Sequence, residues 1–192
     1  MKPLLNKANA INVHIAEILA GEYSDDRRLT ITLAYLNLAL DHHAAIIFLM
    51  RNGRFGSALA LVRVVFEIML RAHWVVGCAT AEEVDKVAED HDFDIMSRVD
   101  ADRIDKAFNT NGFFRQAKTD AWKAMNAYTH SGLRQLVRQF SKDRVEGSYK
   151  TEELEDGMRA ATAGLLMVGY LLAHFTRRSA EAAKIEALFD FD

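Results

Sequence analysis

The chain contains little proline and little cysteine. Its one proline, Pro3, stands near the start of the 192 residues, where the first turn of a helix tolerates it. Its one cysteine, Cys78, has no second cysteine to pair with, so an internal disulfide is excluded. A chain without internal disulfides suits a reducing compartment, and we expect a cytoplasmic protein.

Strand patterns, a leader peptide and a membrane span are also missing. No segment alternates apolar and polar residues for long enough to form a half-buried strand. The first residues lack the apolar segment and cleavage site of a signal peptide. The longest charge-free run, 160–175, is shorter than the roughly 18 to 20 residues that span a bilayer. We therefore expect an all-α protein without a membrane partner, with this run as a buried helix.

Neither sign of charge dominates. The 24 lysines and arginines are interleaved with 27 aspartates and glutamates, for a net charge of −3. This balance gives no DNA-binding signature and no overall attraction to an anionic membrane. Half of the residues are hydrophobic, which is a globular composition, and the length fits one domain. We expect residues 1–192 to form a single helical domain.

The sequence also lacks the common catalytic and cofactor motifs. There is no glycine-rich phosphate loop, no Gly-x-Ser-x-Gly and no cysteine–histidine signature, so no cofactor is expected. Asp41-His42-His43 and the acidic run 90–94 contain metal-ligand residue types. Adjacent histidines on a helix point about 100° apart, however, and the acidic run lacks calcium-loop spacing. We expect no metal site.

The apolar patterns, turns and caps that the sequence does contain predict an up-and-down bundle of long helices with a layer of short helices. A long helix over about 25–51 and a second from Ser57 to about Gly77 are separated by a four-residue turn, which predicts an antiparallel hairpin. Thr80-x-x-Glu83 is a capping box that opens a more polar outer layer. A last long helix begins at Thr151.

Further boundaries follow from local signals. Ser24 and Ser57 are the predicted N-caps of the second and third helices. A short helix is predicted through Phe140, followed by a loop over 141–149, and the last helix is expected to bend near Ser179. Small residues in that helix, Ala160, Gly164 and Gly169, predict close helix approach, within the bundle or across a dimer interface.

A charged stripe marks the otherwise apolar third helix. Arg63, Glu67 and Arg71 fall four residues apart and therefore lie on one side of the helix. Trp74 lies nearly on the same face, and an aromatic ring can stack on a guanidinium. Because the helix is apolar elsewhere, it should be buried, and charges there must be paired or face a cleft. The stripe is either a structural ion network or an anion pocket in which the arginines bind phosphate or carboxylate.

A second polar group follows on a later helix. Tyr128 and His130 precede the Ser131-Gly132 break, and Arg134 follows it. If these side chains face Glu67 across the bundle, the residues form one polar pocket in which His130 is the candidate general acid or base. Alternatively, His130 caps the helix and pairs with Glu67.

Two motifs resemble a known group of proteins. The spacing R-x3-E-x3-R-x-H-W, from Arg63 to Trp74, and Y-x-H-x-G, from Tyr128 to Gly132, are similar to those of bacterial all-helical proteins of unknown function, some grouped with HEPN-like domains. In active HEPN ribonucleases, two subunits form a composite RNA-cleaving site. The resemblance implies a helical bundle, a homodimer and a polar cluster formed by these segments.

Three functions are consistent with these observations. The leading hypothesis is an intracellular binding or regulatory module that takes an anionic ligand or RNA at Arg63, Glu67, Arg71, Trp74, Tyr128 and Arg134. The alternative is a metal-independent HEPN-like ribonuclease, or a hydrolase that acts on nucleotides, with His130 as its catalytic acid or base. The third is a structural homodimer in which the polar cluster only fixes helix register.

Overall fold

The computed structural model describes residues 1–20, 25–90, 92–129, 136–141, 144–145 and 147–190. Its helices confirm the predicted all-α class. They are α1 (Lys2–Leu19), α2 (Arg27–Arg51), α3 (Phe55–Gly77), α4 (Ala81–Glu89), a short 3-10 turn (Ile95–Ser97), α5 (Ala101–Phe108), α6 (Phe113–Thr129), α7 (Thr151–Phe175) and α8 (Ser179–Glu186).

The third helix lies at the centre of the bundle. Helices α2, α6 and α7 pack along α3, and α5 contacts it near its end. Its buried side chains come from several faces, for example Val65, Ile68 and Leu70. Fully burying an aliphatic side chain of this size stabilises a fold by about 1.5–3 kcal/mol. The apolar composition of α3 therefore accounts for its central position, as the sequence predicts.

The α2–α3 hairpin forms as predicted, but both helices have different N-caps. Asp26 caps α2, its carboxylate accepting hydrogen bonds from the backbone amides of Arg28 and Leu29. Ser24 lies outside the described residues. Helix α3 begins at Phe55, so Ser57 lies within its first turn and the predicted Ser57 cap is wrong. The left-handed Gly53 and the short bond from the Arg54 amide to the Leu49 carbonyl complete the turn early.

The outer layer of short helices is confirmed. Thr80 and Glu83 form the predicted capping box, in which each side chain accepts a hydrogen bond from the other residue's backbone amide. Helix α4 then packs on α2, and α5 packs on α3 and α6. The polar composition of this region follows from its position, because only one face of each short helix meets the core.

The last long helix packs closely on α3 through glycine. A Cβ atom added to Gly164 would lie 3.1 Å from Val65 Cγ1, so the absence of a side chain lets the two helices approach. The expected bend near Ser179 is a complete break. Arg177 adopts a left-handed backbone with φ of 57°, and α8 starts two residues later.

The segment after α6 differs from the prediction. Phe140 pairs with Val145 and Ser141 with Arg144 in a two-residue antiparallel ladder, so the helix predicted through Phe140 ends before it. A two-residue pairing carries no alternating pattern, and sequence periodicity cannot reveal it.

Helices α2 and α7 are long and apolar enough to cross a membrane by length and composition alone. The charge-free run 160–175 belongs to the longer helix α7, so the shortness of that run does not exclude a membrane span. Burial supports a core helix instead, because 61% of the most apolar window of α7 lies inside the bundle. The corresponding fraction of α2 is 39%. A core helix of a soluble protein has the same length and composition, so these two helices are weak evidence for a membrane protein.

Candidate functional site

The charged stripe forms one hydrogen-bonded network on α3. Arg63 Nε donates to Glu67 Oε1 at 2.6 Å, and Arg71 Nη2 donates to Glu67 Oε2 at 3.4 Å. Each carboxylate oxygen of Glu67 therefore serves one guanidinium. The three side chains carry a net charge of +1, because a single carboxylate is shared between two arginines.

The network is largely removed from water. The side chains of Arg63 and Glu67 are 15% and 17% exposed, whereas that of Arg71 is 30% exposed. Charges in such a position need their partners, because breaking a buried pair by removing one member costs about 3–5 kcal/mol. Arg71 is thus the member of the network that solvent, or a ligand, reaches most easily.

An aromatic ring does stack on the stripe, but it belongs to another helix. The guanidinium carbon of Arg63 lies 4.7 Å from the centre of the Trp122 ring on α6, and Lys118 Nζ lies 5.5 Å from the same ring. Phe66 on α3 also contacts Trp122, with 6.4 Å between ring centres. Trp122 and Lys118 are site residues that sequence reasoning missed, since helical spacing alone does not show which face of α6 meets α3.

Trp74 is fully buried in the core and is not placed to meet a ligand from solvent. Its indole Nε1 has no hydrogen-bond partner among the described residues, and neither has Arg71 Nε, one turn earlier. A buried donor without an acceptor costs free energy, on the order of 1–3 kcal/mol. Two such donors follow one another along α3 at the end of the charged stripe.

Tyr35 on α2 lies near the same end of the stripe. Burial raises the pKa of its phenol, and the positive charge of Arg71 opposes that rise. The hydroxyl therefore stays protonated at neutral pH. The surroundings of Arg71 thus include hydrogen-bond donors on both α2 and α3.

Tyr128 belongs to a second polar group. Its hydroxyl donates to Glu153 Oε1 on α7, and Arg138 Nη2 lies 2.8 Å from Glu153 Oε2. Burial and the bond to Glu153 raise the pKa of Tyr128 to about 12. The phenol is a fixed donor at neutral pH, so it does not act there as a general base. Glu153 and Arg138 were not singled out by the sequence, because nothing in their local pattern distinguishes them from surface charges.

The structure brings together only part of the predicted pocket. Helix α6 runs antiparallel to α3, with Phe114 beside His73 and Trp122 beside Arg63. Tyr128 lies further along the same interface, and within the described part of the chain no hydrogen bond joins it to Glu67 or Arg71. His130 and Arg134 lie outside the described residues, so the pairing of His130 with Glu67 stays a prediction.

One member of the histidine pair of α2, His43, serves packing. His43 is fully buried, and its Nε2 lies 3.0 Å from Thr162 Oγ1, which itself donates to the Met158 carbonyl. Its Nδ1 lies 3.2 Å from Asn12 Nδ2. Thr162 must therefore accept from Nε2–H, and Nδ1 must accept from Asn12, which fixes a neutral tautomer. Both ring nitrogens are occupied by protein partners.

The stripe can hold an anion but offers little for proton transfer. Both oxygens of Glu67 are engaged by arginines, and Tyr128 is bound to Glu153. Guanidiniums do not lose their protons near neutral pH, so they bind and orient charge rather than exchange protons. Within the described residues, the groups of this region are suited to binding negative charge rather than to proton transfer.

One comparison with known proteins gives a result. A model of the DUF6988 family, a family of unknown function, matches residues 36–190, which include the charged stripe, Trp122 and Tyr128. No match was found among curated proteins or among solved structures. Because the family model covers most of the chain, this protein belongs to the DUF6988 family of unknown function.

Proposed function

We propose that this protein is a binding or regulatory module whose polar centre, formed by Arg63, Glu67 and Arg71, receives an anionic group of its ligand. The observation that carries the proposal is the partial exposure of Arg71 and the carboxylate that it shares with Arg63. Its side chain is 30% exposed, and it shares the single carboxylate of Glu67 with Arg63, so two guanidiniums face one negative charge.

A phosphate or carboxylate oxygen would meet the exposed part of the Arg71 side chain and balance the net positive charge of the stripe. A guanidinium presents its donors as a planar fork, which suits two oxygens of one anionic group. Because Glu67 fixes both arginines, little side-chain freedom would be lost on binding. The geometry thus provides a preorganised cation at a partly open position.

Neighbouring groups favour the same sign of ligand. Lys118 and Arg63 both approach Trp122, which places a further positive charge next to the stripe. Tyr35 contributes a protonated hydroxyl near Arg71. The net charge of the chain, −3, does not reveal this local excess of positive charge. Attraction of an anion is therefore local, and added salt should weaken it.

The test is calorimetric titration of the full chain with inorganic pyrophosphate, and with citrate to distinguish phosphate from carboxylate. We expect saturable binding that weakens strongly between 20 and about 200 mM salt. Arg71→Gln should weaken the binding about tenfold or more, because a charge-assisted bond is lost. The matched control is Arg27→Gln, since Arg27 is an exposed arginine paired with Asp85 and Glu89.

Two results would overturn the proposal. Equal affinities in Arg71→Gln and Arg27→Gln would leave the stripe as a structural network, and light scattering would then test the structural homodimer. Shortening of RNA by the wild type that is abolished in His130→Ala would instead favour the HEPN-like ribonuclease. That alternative rests on the family resemblance, and its candidate residue lies outside the described part of the chain.

A further inference from the structure

A cleft of about 810 Å³ lies at the far end of α3 from the start of the stripe. The turn after α5 and the first residues of α6 form one wall, and the ends of α7 and α8 form the other. This volume is within the range of small-molecule sites, which is about 300–1,000 Å³. None of the residues assigned to the polar centre lines this cleft.

The walls of the cleft are aromatic. The ring of Phe108 meets that of Phe175 edge to face, with 6.1 Å between centres, and Phe113 meets Phe114 in the same manner at 5.3 Å. Phe113, Phe175 and Phe189 are 48%, 43% and 40% exposed, although all three line one cavity. Exposed apolar side chains that gather around one cavity indicate a binding surface.

The floor of the cleft carries a hydrogen-bond acceptor, His73. Its Nδ1 lies 2.8 Å from the Met69 carbonyl oxygen, which can only accept, so Nδ1 must carry the proton. Burial lowers the pKa of His73 to about 4, although the bond to Met69 opposes this, and the ring is neutral at physiological pH. Nε2 is therefore an unprotonated acceptor.

Nε2 of His73 is left without a protein donor. No hydrogen bond to it occurs within the described ranges, although the side chain is 94% buried, being 6% exposed. It is not among the unpartnered side-chain atoms that are sealed from solvent. Since His73 lines the cleft, the cleft is the side from which a ligand would reach this atom.

The acceptor and the walls are held in place. Asp105 accepts hydrogen bonds from Thr110 Oγ1 and from the amides of Phe114 and Arg115, which fixes the turn and the start of α6. Phe108 lies so close to Gly77 that a Cβ atom there would come within 2.5 Å of its ring. Phe108 and Phe114 in turn contact the His73 ring, at 5.3 and 4.8 Å between centres. The cleft is therefore preorganised.

We propose that this cleft binds a planar, uncharged aromatic small molecule that donates one N–H or O–H hydrogen bond to His73 Nε2. Flat apolar walls fit an aromatic ring, and an orphan acceptor selects a ligand with a donor. Glu186 is the sole formally charged side chain among the described lining residues, which disfavours an anion. This ligand class differs from that of the polar centre, so the two proposals stand or fall separately.

The experiment uses indole and 1-methylindole as a matched pair of probes. The two have nearly the same shape, but only indole has an N–H donor. Binding to the full chain is followed by calorimetry, and amide chemical shifts locate the site. We expect indole to bind about tenfold more tightly than 1-methylindole, the ratio that one hydrogen bond supplies. In His73→Leu this preference should disappear while 1-methylindole still binds.

A second variant makes the result independent of His73. Phe113→Ser removes an exposed ring from the mouth of the cleft and should weaken both probes several-fold. The matched control is Phe48→Ser on α2, where the ring is 66% exposed and does not line the cleft. This control should bind both probes as the wild type does.

Three results would overturn the proposal. Equal affinity for both probes would show that His73 accepts no hydrogen bond from the ligand. Equal weakening by Phe113→Ser and Phe48→Ser would show that the probes do not bind in the cleft. Absence of saturable binding at millimolar concentration would do the same. If light scattering then showed dimers that Phe113→Ser dissociates, the aromatic face would be an interface between two copies of the chain.

Discussion

Two regions of the molecule each contain a buried histidine: the interface of α1, α2 and α7, and the cleft at the end of α3. The two histidine rings differ in their hydrogen bonds. Protein groups occupy both nitrogens of His43, through Asn12 and Thr162. At His73 they occupy Nδ1 alone, and the residue lines a cavity. Burial lowers the pKa of both rings to about 4.

The difference separates a structural polar group from a recognition group. A buried side chain with every donor and acceptor matched contributes to stability and to a unique packing. A buried acceptor that faces a cavity contributes little to the fold and is available to a ligand. Burial and a shifted pKa do not distinguish the two cases, whereas the count of occupied nitrogens does.

The largest expected effect is one that both histidines share. Because each pKa is lower in the folded chain than the usual 6.5, the unfolded chain binds more protons between pH 6.5 and 4. The two neutral rings therefore make their full contribution to the free energy of unfolding above pH 7. Between pH 6.5 and 4 this free energy falls with acidification, by about 1.4 kcal/mol per pH unit for each histidine. The total loss from pH 8 to pH 5 should be roughly 4 kcal/mol.

Urea unfolding at a series of pH values measures this slope. Each single substitution, His43→Gln or His73→Gln, should remove about half of it. The exposed His14→Gln on α1 is the control and should leave it unchanged. A free energy of unfolding that stays constant from pH 8 to pH 5 would show that neither ring has a lowered pKa.

The next effect distinguishes the two histidines. His43→Ala should lower the free energy of unfolding by about 3 kcal/mol at pH 7.5, because it opens a cavity and removes one of the two acceptors of Asn12 Nδ2. His43→Gln should recover part of the loss, since an amide can both donate and accept. The measurement is urea unfolding, with His14→Ala as the control. A loss below about 1 kcal/mol would mean that the network around His43 is not structural.

The fold could be predicted from the sequence where the physics is local. The Thr80 capping box and the apolar α3 are set by residues within a few positions of one another, and the structure agrees with both. The Ser57 cap failed because the turn before it closes earlier, at Gly53. Two-residue strands such as Phe140–Ser141 leave no periodic signal.

The candidate site could be predicted only in part, for a related reason. The i, i+4 spacing of Arg63 and Glu67 shows that they meet, because both lie on one helix. Trp122 and Glu153 reach the polar groups from other helices, and their positions depend on packing that no local pattern records. His73 is similar, since its free nitrogen is visible only when the Met69 carbonyl and the cleft are both in place.

The smallest expected effect tests the comparison most sharply. His73→Leu replaces the ring by an apolar side chain and loses one hydrogen bond to Met69, whose carbonyl already accepts a backbone amide within α3. It also removes an acceptor, Nε2, that no protein donor meets within the described residues. We therefore expect the free energy of unfolding at pH 7.5 to change by less than about 1 kcal/mol.

The same substitution at the other site, His43→Leu, should be more harmful by about 2 kcal/mol, because Asn12 Nδ2 loses one of its acceptors and Thr162 Oγ1 loses the donor from which it accepts. Urea unfolding of the two leucine variants side by side measures the difference. Equal losses would mean that Nε2 of His73 has a structural role, and the distinction between the two histidines would fail. A stable His73→Leu that has lost its preference for indole would assign the ring to recognition rather than to folding.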